Sequence, residues 1–284
     1  MNNNKIWYVT GASQGLGLSL VKQLVAAGYR VAATSRSVAD LQKAVPASNT
    51  GDFLPLQVDL TNAEEIRHSI EQTVAAFGGI DVVVNNAGYG MVGTLEELEE
   101  RKMRAIFEVN VFATINVVRF VLPYLRKQRS GHIINMSSVA GFVGAPGWSI
   151  YSATKAAVIG FSEVLALDVQ DLGIKVTVIG PSGFRTGFLT KNSLDSVESR
   201  IPEYQSVTQT RARYAAMDGK QDGDPEKAAA LFIRLAEDPE PPLHLWLGAN
   251  AFERAGEKIS SMETELKRWK DLSFAADFSD HPIP

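Results

Sequence analysis

KIWYVTGASQGLG, residues 5–17, decides the fold. An apolar, β-branched and aromatic run ends at Thr10 and passes without a linker into a turn holding Gly11, Gly15 and Gly17. Beyond the turn, leucines and valines recur at helical spacing up to Gly28, which stands where a helix C-cap is wanted. Glycines at a strand-to-helix turn let main chain approach a pyrophosphate and point the free N–H groups of a helix start toward it. The spacing is G-x-x-x-G-x-G rather than G-x-G-x-x-G, so the turn could also be a tight bend that happens to be glycine-rich.

Working outward, the same alternation repeats. Lys5–Thr10, Arg30–Ser35, Phe53–Val58, Ile80–Asn85, His132–Ser137, Ile174–Ile179 and Leu243–Leu247 read as strands, several of them almost wholly apolar. Helical patterns lie at about 15–27, 62–77, 97–128, 151–171 and 225–237. This predicts an α/β fold: a single Rossmann-type, doubly wound parallel sheet of about seven strands with helices on both faces. One domain over residues 1–284 is expected, with a weakly periodic insertion near 184–223 as a substrate lid and a polar helical tail over 249–284 that ends in a proline-rich coil.

Composition narrows the function. A formal charge of −4 gives no reason to expect nucleic acid. There is no cysteine, so thiolate and disulfide chemistry are out, and the four histidines show no ligand spacing, so no metal is expected. No apolar run reads as a membrane span and the start shows no signal-peptide pattern, so a soluble, cytoplasmic protein without a membrane partner is expected.

Two further positions carry chemistry. The second strand ends in Ser35-Arg36 where NAD-binding sites usually hold an acid. Arg36 can pair with a 2′-phosphate, which favours NADP(H), although a solvated arginine with relaxed cofactor choice fits the same residues. Tyr151 and Lys155 are four apart and share one helix face. An ammonium about 5 Å from a phenol at an effective dielectric of about 20 is worth roughly 3 kcal/mol, about two pKa units downward. Alone, the pair reads equally well as an ordinary amphipathic helix. Ser138, at the end of the HIINMS strand, adds a hydroxyl on the ligand-binding edge.

Together these stretches resemble the short-chain dehydrogenase/reductase family over about residues 5–250. TGASQGLG matches its TGxxxGxG turn, and Ser138 with Tyr151-x-x-x-Lys155 matches its active site. Asp59 in VDL, Asn85-Asn86-Ala87-Gly88 and Asn110 in VNVFA match further family motifs. The resemblance implies an oxidoreductase in which Tyr151 is the general acid or base, Lys155 bonds the nicotinamide ribose, Ser138 holds the substrate oxygen and Asn110 keeps a water in a proton relay. It implies cofactor contacts from Gly11, Ser13, Gln14, Gly15, Leu16, Gly17, Ser35 and Arg36 on one side. Asp59, Leu60, Asn86, Ala87, Gly88, Tyr151, Lys155, Pro181, Gly183 and Thr186 complete the set.

The chain departs from the pattern at Pro181-Ser182, where the family usually has Pro-Gly, and in its long tail. With SGFRT after the sixth strand, it is similar to the hydroxysteroid-dehydrogenase-like and carbonyl reductases. The expectation is NADPH-dependent reduction of ketones or aldehydes. The alternatives are a hydroxysteroid or secondary-alcohol dehydrogenase working oxidatively, or an NADP-sensing module without turnover. Phe142, Val143, Trp148, Phe188, Leu189 and Tyr204 are candidates for an apolar pocket, or equally for core. Family members pair through two long helices, so a homodimer or homotetramer is implied, with Val158, Phe161 and Leu165 as candidate contacts.

Overall fold

A computed structural model describes residues 5–45, 51–197 and 200–278. The first four residues and the terminal proline-containing stretch from 279 lie outside these. Seven parallel strands form the main sheet: β1 (Ile6–Val9), β2 (Arg30–Ser35), β3 (Phe53–Gln57), β4 (Val82–Asn85), β6 (Gly131–Met136), β7 (Ile174–Pro181) and β9 (His244–Leu247). Their order is β3-β2-β1-β4-β6-β7-β9. The chain winds outward from β1 to β3 and then crosses back to β4, so the strand order reverses between β1 and β4. Ligands of open α/β sheets bind beyond the carboxyl ends of the strands at such a reversal.

The period-2 alternation of the strands divides the core. Trp7, Val9, Val82, Val84 and Ile134 face one layer, where α1 (Gly15–Ala26) and α8 (Pro225–Glu237) supply Leu20, Leu24 and Phe232. Tyr8, Val83 and Ile133 face the other, covered by α3 (Ala63–Phe77), α5 (Ala113–Gln128) and α6 (Ser149–Val169) through Ile66, Ile70, Val121 and Leu165. Helix boundaries obey side-chain chemistry. Asn62 caps α3 by accepting from the N–H groups of Glu64 and Glu65, and Gly78 closes it in the left-handed region. Asp224 caps α8 in the same way, with Pro225 in its first turn.

The stretch expected as one helix over 97–128 is α4 (Glu100–Phe107), a wide π turn (Glu108–Phe112) and then α5. Such a turn inserts an extra residue into the helical ladder and shifts the phase of the helix beyond it, a device common at functional sites. Residues 100–128 and 149–172 are helices long and apolar enough to cross a membrane by length and composition alone, which corrects the reading that no apolar run reaches that length. In this fold they pack against the sheet.

The segment 184–223 has more structure than its weak periodicity suggests. Its ends are clipped together, Arg185 N–H donating to Gly223 O and Gly223 N–H to Gly183 O. Within it, β8 (Leu194–Ser196) pairs in parallel with β5 (Gly90–Val92), and α7 (Gln205–Met217) comes next. The tail forms α9 (Ala249–Arg268) and α10 (Lys270–Phe274). Helix α2 (Val38–Ala44), capped by Ser37, is a further element absent from the helical patterns read in the sequence.

Candidate active site

The turn after β1 is fixed by main-chain geometry. Gly11 and Gly15 have φ of +64° and +59°, and a Cβ on Gly11 would lie 2.8 Å from Ala87 Cα. Thr10 Oγ1 accepts from the N–H groups of Asn86 and Ala87 at 3.0 and 3.1 Å, while Asn86 Nδ2 donates to the carbonyls of Thr10 and Gly11, both at 3.0 Å. The loops after β1 and β4 are thereby locked across the reversal point. Helix α1 starts without a side-chain cap, so its first N–H groups face the cleft with no side-chain acceptor. Gly17 does not line the cleft, contrary to expectation. A Cβ there would meet Asn86 Nδ2 at 2.5 Å and Gly11 O at 2.6 Å, so it is a packing glycine that lets the helix approach the turn.

A second set of bonds holds the chemical centre. Asn85 Nδ2 donates to Asn135 Oδ1 at 2.8 Å, and Asn135 Nδ2 to Ser162 Oγ at 2.9 Å, a buried ladder from β4 through β6 to α6. Ser137 Oγ donates to Lys155 O at 2.8 Å, and a Cβ on Gly141 would strike the Lys155 main chain at 2.7 Å. The loop after β6 therefore lies directly on α6, which brings Ser138 to Tyr151. Rings of Trp148 and Phe188 stand 5.3 and 5.8 Å from that of Tyr151.

Burial governs the protonation of this centre. It pushes the Tyr151 phenol up to about 12, with a hydrogen bond from Ser138 pulling the other way and Tyr214 adding to the rise. Burial also brings Lys155 down to about 8. The depression of Tyr151 expected from Lys155 gives way to desolvation, and the pull downward comes from Ser138 instead. Lys155 Nζ lies 5.9 Å from the Tyr151 ring centre and donates to Met136 O at 2.8 Å.

The cavity has a volume of about 900 Å³ and runs along the carboxyl edge of the sheet. Ser138, Tyr151 and Lys155 line it, as do Gly11, Ser13, Gln14, Gly15, Leu16, Ser35, Arg36, Asp59, Leu60, Asn86, Ala87, Gly88, Pro181, Gly183 and Thr186. Asn110 stands behind the wall, fully buried. Its Oδ1 accepts from Tyr89 N–H, and its Nδ2 donates to Tyr89 O and Thr154 Oγ1, at 3.0–3.1 Å. Its side chain is spent on bracing the β4–β5 link against α6, so the implied relay has only the Asn110 main chain to work through.

At the β3 end of the cavity, Asp59 accepts from Thr61 N–H and hydroxyl at 2.9 and 2.8 Å. With Arg36 near, these bonds hold it below the usual carboxylate range. Ser182, the departure from Pro-Gly, is absorbed by β9: its N–H donates to Leu247 O at 3.0 Å.

Of the apolar candidates, Trp148, Phe188 and Leu189 line the cavity. Phe142 instead stacks on Trp246, Val143 offers its carbonyl to Arg254, and the Tyr204 hydroxyl bonds Glu96. Lining residues that sequence reasoning missed include Tyr89, Tyr214, Met217, Gln221, Asn250 and Arg254. One signal for the last two was available. Ala251 and Ala255, four apart, mark the face of α9 pressed on the body, and Asn250 and Arg254 directly precede them.

A family model described as short chain dehydrogenase matches residues 5–196. Oxidoreductase BOA17 of Botryotinia fuckeliana is 36% identical over 273 residues, 96% of this chain and 99% of that protein. A 3-ketodihydrosphingosine reductase of Bacteroides thetaiotaomicron is 34% identical over 86% of this chain and 88% of its own length. The crystal structure of a short-chain dehydrogenase from Streptomyces avermitilis superposes with a TM-score of 0.88 at 37% identity, covering 96% of this chain and 98% of that one. With the glycine turn, the locked reversal point and the Ser138–Tyr151–Lys155 cluster in place, the chain belongs to the short-chain dehydrogenase family of oxidoreductases.

Proposed function

We propose that this protein is an NADPH-dependent carbonyl reductase that converts ketones or aldehydes to alcohols. The observation that carries the reading is geometric: Tyr151, its phenol oxygen bonded to Ser138 and Lys155 one turn along the same helix, lines a cavity large enough for a dinucleotide and a substrate. A proton kept on that oxygen suits donation to a nascent alkoxide. The presence of the Tyr151, Ser138 and Lys155 groups together speaks against a sensing module without turnover. The Bacteroides relative carries a ketone in the name of its substrate.

The residues present fit NADPH. The uncapped start of α1 and the main chain of Gly11–Leu16 would hold the pyrophosphate, and Lys155, with Nζ donors beyond the one given to Met136, would hold the ribose. Ser13, Ser35 and Arg36 would meet a 2′-phosphate, with no acid at the end of β2 to repel it. When bound, the cofactor supplies the hydride. Ser138 then orients the carbonyl oxygen, Tyr151 delivers the proton to it, and the aromatic rings exclude water.

The segment 184–223 acts in this reading as the lid over the substrate. Pairing of two chains through α5 and α6 belongs to the same proposal, with one change of residues. Val158 and Leu165 are buried within the chain, so the apolar contacts on offer are the half-buried Phe161 with the exposed Val164 and Leu167. A sedimentation experiment giving only monomer at micromolar concentration would remove the pairing.

The test is NADPH oxidation over a panel of ketones, with NADH in parallel and Arg36→Leu as the comparison. Turnover with NADPH, and a preference over NADH that falls about 10- to 100-fold in the variant, is expected. Tight cofactor binding with no turnover in either direction would overturn the reductase in favour of a sensing module.

A further inference from the structure

The cavity runs beside the sheet from Asp59 and Leu60 behind β3 to Asn250 and Arg254 behind β9. The cofactor and the reacting carbonyl account for the part up to β6 and the start of the β7 loop. The β7–β9 end holds polar groups that neither uses.

Gln221 is 2% exposed, lines the cavity, and has no partner among the described residues for either Nε2 or Oε1. Its carbonyl accepts from Arg185 Nε at 3.2 Å, so the residue is held by its main chain while the amide head stays open. Its Cγ would lie 3.4 Å from a Cβ on Gly183, which places the side chain beside the loop after β7. Buried amides are normally satisfied, because an unbonded one is costly. Arg254 reaches the same end from α9, half-buried, with Nη2 donating to Val143 O at 3.2 Å on the loop after Ser138. Among the described residues no carboxylate forms an ion pair with it. The two acids that line the cavity, Asp59 and Glu108, come from behind β3 and from the π turn.

This end therefore offers a guanidinium fork and two amide heads without an acid to satisfy them. Such a donor set matches a carboxylate. We propose that Arg254, with Asn250 and Gln221, binds a carboxylate on the substrate, so that the preferred substrates are oxo acids whose ketone or aldehyde reaches Tyr151 while the acid sits against α9. Trp148, Phe188, Tyr214 and Met217 would cover the hydrocarbon between the two groups. The proposal rests on the carbonyl-reductase reading above.

The experiment measures NADPH oxidation by the full chain with linear oxo acids of increasing carbonyl-to-carboxylate distance, each against its methyl ester. The acid at the best length should exceed its ester in kcat/KM by about 10- to 100-fold. Arg254→Met should cut that ratio at least tenfold, mainly through KM, and Arg254→Lys should restore part of it. Gln221→Leu should raise KM for the acid while raising Tm by about 2–4 °C, because it removes an unsatisfied buried amide. Acid and ester turned over equally at every length would overturn the carboxylate site and leave the reductase standing. A fall in Tm with unchanged KM in Gln221→Leu would make that residue structural and overturn its part. No turnover with acids, esters or plain ketones would overturn both readings together.

Discussion

The two ends of the cavity are built by different means. The β1–β4 end is made of main chain: glycines at positive φ, an uncapped helix start, and threonine and asparagine bonds that lock two loops 76 residues apart. The β7–β9 end is made of side chains from α7, the loop after it and α9, with the Gln221 amide left open. Main-chain geometry suits a ligand portion that never changes, such as a pyrophosphate. Open side chains suit one that varies between relatives.

Tyr151 stands where the two ends meet, and its removal gives the largest expected effect. Tyr151→Phe should lower kcat by about 10²- to 10⁴-fold, the usual worth of a positioned general acid. NADPH affinity, measured by fluorescence titration, and Tm should change little, since the ring contacts with Trp148 and Phe188 persist. Near-normal turnover in the variant would take the proton from another group and dissolve the division of the cavity about Tyr151.

The sheet beneath both ends has its own acid-sensitive point. His132 on β6 is buried, with Nε2 against Thr177 Oγ1 at 2.9 Å. Burial, then Lys175 and Lys5, bring its pKa down from 6.5 to about 4. The folded state thus prefers the neutral ring. The stability it contributes is present above pH 6.5 and is lost as pH falls through 4, amounting to about 3 kcal/mol at most. Urea unfolding at pH 7 and pH 4.5 should show a loss of this order, and His132→Gln should flatten it. An equal slope in the variant would place the acid sensitivity elsewhere.

Gly11→Ala tests the main-chain end. The new Cβ would meet Ala87 Cα at 2.8 Å in a conformation that L side chains rarely adopt. A stability loss of about 1–3 kcal/mol is expected, together with weaker NADPH binding. Full cofactor affinity with unchanged Tm would show that the turn is less constrained than its geometry implies.

The same contrast explains which parts are legible in the sequence. The glycine turn, the apolar strands and Tyr151-x-x-x-Lys155 are local patterns in which spacing alone carries the geometry. Gln221, Asn250 and Arg254 come to line the same cavity as Tyr151 only through the clipped insertion and the return of α9 over the sheet, which no local period encodes. The π turn escapes because 97–128 keeps a helical apolar pattern on both sides of it, and only the bonds of Asn110 to Tyr89 and Thr154 show why an extra residue is accommodated there. Tyr151 misleads in a different way. Two-body electrostatics point downward for its pKa, whereas desolvation, invisible without the packed rings, dominates.

The smallest effect is the sharpest test of the division. Tyr214 on α7 packs edge-to-face on Trp148 at 4.9 Å and belongs to the side-chain end alone. Tyr214→Ala removes an aromatic wall worth about 0.5–1.5 kcal/mol beyond its area, so KM for the carbonyl substrate should rise about 2- to 10-fold. Because α7 shares no hydrogen bond with the Gly11–Gly17 turn among the described residues, NADPH affinity should stay within about twofold. If cofactor affinity fell as far as KM rose, the two ends would be one coupled site, and the lid would be closing over the dinucleotide as well as the substrate.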